Sequence, residues 1–288
     1  MNDTLLQVEN LNIIFKGAHQ DHHAVRNVSF SVGREKLAIV GESGSGKSQT
    51  CRALLKLTPK IGRVTADKMQ FGDIDLLAAS EKQMRRIRGG RISMILQDPK
   101  FSLNPLMRIG DQISEAYRLH TQASKSVARE RALAMLESVH IREVEKVCQL
   151  YPHEISGGMG QRVMIAMMLI PEPDLIIADE PTSALDVTVR QQVLSILDEL
   201  LARRNTGMLF ITHDLNLVSR FCDRVLVMYA GRVVEEIQAS QLEHACHPYT
   251  RALLASQPRL QQPVETLSVP TRDAAWLNGP TWRDGVAI

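Results

Sequence analysis

The sequence predicts an α/β fold with a parallel sheet covered by helices on both faces. From Met164 onward, short aliphatic segments alternate with stretches of helical periodicity, a pattern typical of buried parallel strands. A glycine-rich loop separates the aliphatic segment 37–40 from a helical stretch. Residues 5–40, in contrast, form short extended segments between polar turns, which predicts an antiparallel layer that leads into the sheet.

The composition is that of an ordinary globular protein. Of the 288 residues, 44% are hydrophobic and 23% are charged, which is enough for a sizeable core. The formal net charge of +2 gives no general electrostatic reason to expect a nucleic-acid partner. Four cysteines are scattered without a close pair, which predicts reduced thiols and neither a disulfide framework nor a zinc site.

Neither a leader nor a membrane-spanning segment is expected. The first residues, Met1-Asn2-Asp3-Thr4, carry no basic group, unlike a secretory signal. The longest apolar block, 163–170, ends at Pro171 and is shorter than the roughly 20 residues that span a bilayer. If the protein works at a membrane, we expect it to dock onto other subunits.

The first half of the chain changes from strands to helices. Extended segments are predicted at 5–8, 13–15, 28–32 and 37–40. Residues 112–147 form charged helical stretches, and one helical face carries Ala128, Ala132, Leu136 and Val139. This central insert is therefore predicted to be mostly helical.

The second half alternates strands and helices and then loses its periodicity. Strands are predicted at 175–178, 208–212 and 225–228, and helices at 187–203 and 215–221. After residue 243 the pattern weakens. Residues 257–288 contain prolines and few periodic apolar residues, which predicts a loose segment outside the core.

Residues 41–48 form a phosphate-binding motif. They spell G-E-S-G-S-G-K-S, which satisfies G-x-x-x-x-G-K-S/T, with a strand before it and a helix, 49–57, after it. Glycines let successive backbone N–H groups face a phosphate, and the helix N-terminus adds positive potential. Lys47 is predicted to reach the β- and γ-phosphates and Ser48 to bind Mg²⁺. A Gly/Ser-rich turn with a chance lysine is the simpler alternative, and it would not account for the flanking strand and helix.

A second chemical motif lies at the end of the aliphatic segment 175–178. Asp179 and Glu180 follow it directly, so Asp179 is predicted at the carboxyl end of the sheet, where ligands of such folds bind. Asp179 can hold Mg²⁺, and Glu180 can orient and deprotonate a water that attacks the γ-phosphate. Two solvated acids at a strand end are the plain alternative. The string P-T-S-A-L-D that follows at 181–186 argues against it.

With these residues in place, the sequence resembles the ABC (ATP-binding cassette) ATPases. Ile155-Ser156-Gly157-Gly158-Met159 resembles their LSGGQ signature, and residues 183–186 resemble their D-loop. Gln97 and His213 resemble their Q-loop glutamine and switch histidine, and Phe15 resembles the aromatic residue that stacks on adenine. The motifs occur in the family's order between residues 15 and 213.

The resemblance implies a role for each matching residue. The catalytic residues would be Glu180, His213, Gln97 and Lys47. The Mg²⁺ ligands would be Ser48, Gln97 and Asp179. ATP would be bound by Phe15, Gly41, Ser43, Gly44, Ser45, Gly46, Lys47, Ser48, Gln49, Gln97 and Asp179, and in trans by Ser156, Gly157, Gly158 and Asp186 of a second cassette.

Each of the isolated motif residues has a simpler interpretation. Taken alone, Gln97 would be a surface residue and His213 a hydrogen-bonded turn residue, and only their positions in the series favour function. Phe15 could equally be a core aromatic. Met159 replaces the signature glutamine, and Gly160 costs the following helix up to ~1 kcal/mol relative to alanine. The fine geometry of this helix start is therefore open.

Within the family, the chain resembles the ATPases of dipeptide, oligopeptide and nickel importers. SGGM at 156–159 is usual in that group, and further matching strings are 41–49, 97–99, 102–105, 151–152, 162–168 and 247–250. Members often carry a cysteine cluster for an iron–sulfur centre after the last of these strings. Cys246 is the last cysteine here, so we expect ATP and Mg²⁺ but no iron–sulfur cluster. Peptide is the preferred substrate and a nickel or metal chelate the alternative.

The resemblance also implies an architecture and an assembly. The fold would be a P-loop NTPase ABC cassette, with a RecA-like core and antiparallel β-layer at 1–105 and 162–241, a helical signature subdomain at 106–161 and a tail at 242–288. Two cassettes, the second a related chain, would pair head to tail at the cytoplasmic face of the bacterial inner membrane. They would drive two permease subunits, to which a periplasmic binding protein delivers substrate. A soluble ABC ATPase without membrane partners is the alternative of another class.

Overall fold

A computed structural model describes residues 4–17, 20–183, 185–257 and 273–288. The chain forms two compact units, one made of residues 1–79 and 209–288 and the other of residues 80–208. The domain boundaries predicted from the sequence, at residues 105, 161 and 241, remain a prediction.

In chain order, the strands and helices up to residue 79 are β1 (Leu6–Phe15), β2 (His22–Val32), β3 (Lys36–Val40), α1 (Lys47–Leu54), β4 (Gly62–Thr65), β5 (Lys68–Phe71) and β6 (Ile74–Asp75). Those that follow are α2 (Glu81–Ile87), β7 (Ile92–Ile95), α3 (Ile109–His120), α4 (Lys125–Ser138), α5 (Val144–Gln149), α6 (Gly157–Leu169), β8 (Leu175–Asp179), α7 (Val187–Arg204) and β9 (Gly207–Ile211). The last are α8 (Leu215–Phe221), β10 (Arg224–Tyr229), β11 (Arg232–Gln238), α9 (Pro248–Ala255), β12 (Trp282–Arg283) and β13 (Val286–Ala287).

An antiparallel layer opens the first unit, as the sequence predicted. β1 pairs antiparallel with β2, β4 and β5, and β5 pairs with β6. Leu6, Val8, Leu11 and Ile13 of β1 are buried. The register with β2 shifts between Val8 and Leu11, which keeps these apolar side chains on the buried side because a bulge resets the alternation.

The first unit also holds a mixed sheet that positions the phosphate-binding loop. β3 pairs in parallel with β10, and β10 pairs antiparallel with β11. Residues 37–40 of β3 are all buried, as expected for a strand covered on both faces. The loop that begins at Gly41 therefore starts from a fixed strand end.

The C-terminal segment differs from the loose tail that the sequence predicted. β12 pairs in parallel with β11, and β13 pairs back onto β12. Arg232 Nη2 donates to the carbonyl oxygen of Gly279 at 2.9 Å. Residues 273–288 thus belong to the first unit through backbone pairing, which leaves little trace in hydrophobic periodicity. Residues 258–272 of the predicted tail lie outside the described residues.

The second unit combines a parallel strand pair with the predicted helical insert. β7 pairs in parallel with β8. The face of α4 that carries Ala128, Ala132 and Leu136 is fully buried, and α4 packs on α3, α5 and α6. The helical prediction for this region is confirmed.

Within the described ranges, no helix combines the length and apolar character needed to cross a membrane.

Candidate functional site

The phosphate-binding loop joins β3 to α1 through backbone conformations that glycine permits. Gly41, Gly44 and Gly46 have φ angles of 148°, 80° and 98°. A Cβ atom at Gly41 would lie 2.1 Å from the carbonyl oxygen of Met228, and one at Gly46 would lie 2.6 Å from that of Ala24. Both the left-handed φ region and the close backbone contacts therefore require glycine at these two positions.

The side chain of Lys47 is hydrogen-bonded to the first residues of this loop. Its side chain is only 6% exposed, and its Nζ donates to the carbonyl oxygens of Gly41 at 2.8 Å and Glu42 at 2.7 Å. The N–H of Ser45 also donates to Glu42, at 3.2 Å. The ammonium group is thus held at a loop whose next residues form the N-terminus of α1, an arrangement that suits a phosphate.

The remaining predicted loop residues surround the start of α1. Gly46 is the N-cap of this helix. Ser43 and Gly44 are exposed, whereas Ser48 and Gln49 are half-buried. Gln49 Oε1 is buried, and no hydrogen-bond partner for it occurs in the described part of the chain. The cradle of backbone N–H groups, hydroxyls and one cation fits a Mg²⁺-nucleotide.

Asp179 and Glu180 are placed by the end of β8. Asp179 is the last residue of this strand and is 8% exposed. Glu180 follows with a φ of 49°, a left-handed conformation that costs a non-glycine residue about 1–2 kcal/mol. The turn holds this conformation, because both the N–H and the Oγ of Ser183 donate to the carbonyl oxygen of Glu180, at 3.3 and 3.1 Å. Strained backbone of this kind is common at functional sites.

Gln161 supports the same turn and was missed by the sequence analysis. Its side chain is 1% exposed and its Nε2 donates to the carbonyl oxygen of Pro181. A glutamine inside the apolar helix α6 was the available signal, because a buried amide requires a partner. The contact ties α6 to the residues directly after Glu180.

The signature residues form the start of α6. Ser156 is its N-cap and accepts a hydrogen bond from the N–H of Met159 at 3.3 Å. Gly157 is exposed, and a Cβ there would meet nothing within 4 Å. The N–H of Gly160 donates to the carbonyl oxygen of Ser156 at 2.8 Å. The helix therefore continues through Gly160 despite the cost of glycine, which answers the question left open by the sequence.

Asp186 marks the start of α7 next to the signature residues. Its Oδ1 accepts a hydrogen bond from the N–H of Val189 at 2.9 Å. A Cβ at Gly158 would lie 3.0 Å from Val189 Cγ1, so the first turns of α6 and α7 are in contact. Gly158 and Asp186 thus lie on adjoining helix ends. Ala184 of the predicted D-loop lies outside the described residues.

Gln97 and His213 each follow a strand, and Phe15 is the last residue of one. Gln97 is exposed two residues after β7, and His213 is exposed between β9 and α8. Asp214 caps α8, because its Oδ1 accepts a hydrogen bond from the N–H of Leu217. Its own N–H donates to Thr212 Oγ1 at 3.1 Å, which fixes the backbone beside His213.

Phe15 is half-buried at the end of β1, beside Gly62.

The predicted site residues are divided between the two units. The first unit holds Phe15, the residues of 41–49 and His213. The second holds Gln97, the signature residues, Asp179, Glu180 and Asp186. Among the described residues, His, Cys, Asp and Glu side chains form no group of three or more that could hold a metal ion.

The chain belongs to the ABC transporter family, because the family profile of that description matches residues 25–183. The fold class and the resemblance to ABC cassettes drawn from the sequence are thereby confirmed. The chain is 46% identical over 302 residues to the glutathione import ATP-binding protein GsiA of Escherichia coli (strain K12), covering 99% of this chain and 48% of the relative. GsiA of Escherichia coli O6:H1 is 50% identical over 264 residues, covering 89% of this chain and 42% of the relative. The chain thus spans about half the length of these relatives.

Solved ABC cassettes share the fold. The chain resembles the dimeric ATP-binding cassette MJ0796 bound to ADP and Pi, with a TM-score of 0.73 and 26% identity over 81% of this chain and 98% of that one. It also resembles cbiO1 from Clostridium perfringens, part of the ABC transporter complex cbiONQ. That match has a TM-score of 0.71 and 26% identity, and it covers 84% of this chain and 91% of the other.

Proposed function

We propose that the chain is the ATP-binding and ATP-hydrolysing subunit of an ABC importer that takes up peptides across a bacterial inner membrane. The observation that carries this proposal is the loop 41–48, where three glycines with positive φ and the buried Lys47 form a phosphate cradle. The family membership supports transport as the process that the ATPase serves.

Each polar residue has a task in hydrolysis. The backbone N–H groups of the loop and Lys47 Nζ bind the phosphates and stabilise the charge that builds up as the γ-phosphoryl group leaves. By the family resemblance, Ser48, Gln97 and Asp179 would hold Mg²⁺, which would neutralise phosphate charge. Glu180 orients the attacking water and accepts its proton. His213 hydrogen-bonds the γ-phosphate from the loop after β9.

A second cassette completes the reaction in this proposal. Ser156, Gly157 and Gly158 offer a hydroxyl and the N–H groups of a helix start, which suit an anion. Since the loop at Lys47 already binds the phosphates from its own side, the signature residues and Asp186 act on the ATP of a partner cassette. The dimeric form of the cassette MJ0796 supports this arrangement. The partner cassette is a related, different chain.

A docking loop for the membrane subunits follows Gln97. The segment 99–107 begins with a short 3-10 helix, Pro99–Phe101. Phe101 and Leu106 are each 85% exposed, and two large apolar side chains exposed on one short loop suit a contact surface. The segment directly continues the loop of Gln97, so a change at the phosphates can move the docking residues. We propose that the protein works at the cytoplasmic face of the membrane, bound to two permease subunits.

The substrate is proposed to be a small peptide. Two relatives that match most or all of this chain are named as glutathione import proteins, and glutathione is a tripeptide. Nickel or a metal chelate is the alternative. Reconstitution of the chain with its co-purifying permease and binding protein in vesicles would decide between them. We expect ATP-dependent uptake of labelled glutathione or dipeptides, and uptake of Ni²⁺ alone would contradict the peptide proposal.

The soluble alternative makes a different prediction for the same preparation. We expect a tagged chain to co-purify with integral membrane proteins from detergent extracts. Recovery of the chain only from the soluble fraction, free of membrane subunits, would favour an ABC ATPase outside transport. We also expect the purified chain to contain no iron–sulfur cluster, and stoichiometric iron with acid-labile sulfide would contradict this.

A further inference from the structure

Tyr249 is a fully buried aromatic residue at the start of α9. Its side chain is 0% exposed, and its ring lies 4.6 Å from that of Tyr229 and 5.6 Å from that of Trp276, measured between centroids. Tyr229 and Trp276 also contact each other, at 5.6 Å. We call these three residues the C-terminal aromatic cluster. The cluster fixes the tyrosine ring from β10 and from the segment that precedes β12.

The hydroxyl of Tyr249 reaches the phosphate-binding loop. It accepts a hydrogen bond from the backbone N–H of Glu42 at 3.0 Å. The carbonyl oxygen of the same residue accepts from Lys47 Nζ at 2.7 Å and from the N–H of Ser45 at 3.2 Å. Glu42 is thus held at its N–H by Tyr249 and at its carbonyl group by the lysine that is proposed to bind phosphate.

Two buried polar residues hold Tyr249 in register with the loop. Glu235 is 0% exposed, and its Oε1 accepts from the N–H groups of Cys246 at 2.7 Å and His247 at 3.3 Å. His247 caps α9, because its Nδ1 accepts from the N–H of Tyr249 at 3.1 Å. Burial lowers the pKa of His247 below its ordinary value, which favours the neutral ring that this hydrogen bond requires.

These contacts form a continuous connection from β11 to the phosphate-binding loop. It runs from the Glu235 carboxylate through the backbone of residues 246–247 and the His247 ring to the hydroxyl of Tyr249 and then to Glu42. All of its members belong to one unit. Rigid partners of this kind preorganise a loop, which reduces the entropy lost when a ligand binds.

We propose that Tyr249 is a positioning residue for the nucleotide site, whose hydroxyl holds the Glu42 peptide in the conformation that binds phosphate. The inference rests on the proposed function of the loop. It assigns a task to His247 and Tyr249, two residues of the string 247–250 that the sequence predicted only as a mark of the importer group. If the Tyr249 ring served only in packing, removal of its hydroxyl group would not change nucleotide binding.

The test is Tyr249→Phe, with Tyr229→Phe as the matched control in the same cluster. Backbone amide exchange is followed by NMR on the full chain without nucleotide, and ATP affinity is measured by calorimetry in the presence of Mg²⁺. We expect Tyr249→Phe to speed exchange of the Glu42 amide and to weaken ATP binding by about threefold to tenfold, the range of one hydrogen bond. Tyr229→Phe should change neither quantity.

Wild-type ATP affinity in Tyr249→Phe would overturn the inference, and so would equal losses in both variants. Exchange at Leu226 in β10, which is 1% exposed, serves as the reference for global stability, so a general loosening is distinguished from a local one. If the wild-type chain itself bound no ATP, the proposed function would fail. The dependence of Glu42 exchange on Tyr249 would still decide whether the hydroxyl holds the loop.

Discussion

At the scale of single residues, Lys47 carries the positive charge of the phosphate-binding loop. We expect Lys47→Ala to weaken ATP binding by at least tenfold, because a charged hydrogen bond contributes about 1.5–3 kcal/mol. The variant also removes the donor that the carbonyl oxygens of Gly41 and Glu42 share. Lys82→Ala, on the exposed face of α2, is the control and should leave the affinity unchanged. Equal ATP affinity of Lys47→Ala and wild type would refute the phosphate-binding role.

Glu180 has a different expected effect because it is proposed to act on water. Glu180→Gln should reduce ATP hydrolysis by about 10²-fold or more, the usual contribution of a general base, and should leave ATP binding nearly unchanged. Glu172→Gln is a matched control, since Glu172 is also a glutamate with positive φ, at 59°, and lies away from the site motifs. Turnover near the wild-type rate in Glu180→Gln would exclude its role as the base.

At the scale of elements, the loop 99–107 is predicted to contact a permease. Cysteines placed at Ser102 or Asn104, in a chain without its native cysteines, should cross-link to a cytoplasmic loop of the permease in the assembled complex. Ser126→Cys, on the exposed side of α4, controls for random reaction. If the loop cysteines gave no more cross-link than the α4 control, the docking proposal would be wrong.

The helix α4 stabilises the second unit through its buried face. Leu136 is 0% exposed, whereas Leu119 on α3 is 73% exposed. We expect Leu136→Ala to lower the free energy of unfolding by about 2–5 kcal/mol, through lost burial and the cavity that remains. Leu119→Ala should change it by less than about 0.5 kcal/mol. Urea titration compares the two variants, and equal midpoints would contradict the packing described for this helix.

At the scale of the whole molecule, the central prediction is that two chains share each ATP. A mixed dimer of two copies of this chain, used in place of the related partner cassette, would carry Ser156→Arg in one copy and Lys47→Ala in the other. If the signature acts in trans, both lesions affect one composite site, and the site at Lys47 of the Ser156→Arg chain stays chemically complete. Nucleotide trapping should then label that chain.

The opposite outcome of the mixed-dimer experiment is equally defined. If Ser156 acted on the ATP of its own chain, each lesion would remove a different site and neither chain would trap nucleotide. Loss of both sites in well-folded dimers, checked against dimers of two wild-type chains, would therefore contradict the trans proposal.

The sequence by itself determined the strands and helices that flank the local motifs. The strand before Gly41, the helix after Lys47 and the strand that ends at Asp179 were all predicted close to their observed bounds. Such motifs are recognisable because the strand, the loop and the helix that they need are neighbours in the chain, so composition and spacing encode the local backbone.

Only the tertiary structure determined which distant residues hydrogen-bond to these motifs and hold them in place. The hydroxyl of Tyr249 meets Glu42 across 207 positions of sequence, and Gln161 meets Pro181 across 20. Residues 273–288 join the first unit through pairing of β12 with β11. No local pattern specifies such partners, because a hydrogen bond between distant residues depends on how the whole sheet and its helices pack. The same physical reason explains why the sequence predicted a loose segment at residues 273–288, where the structure has paired strands.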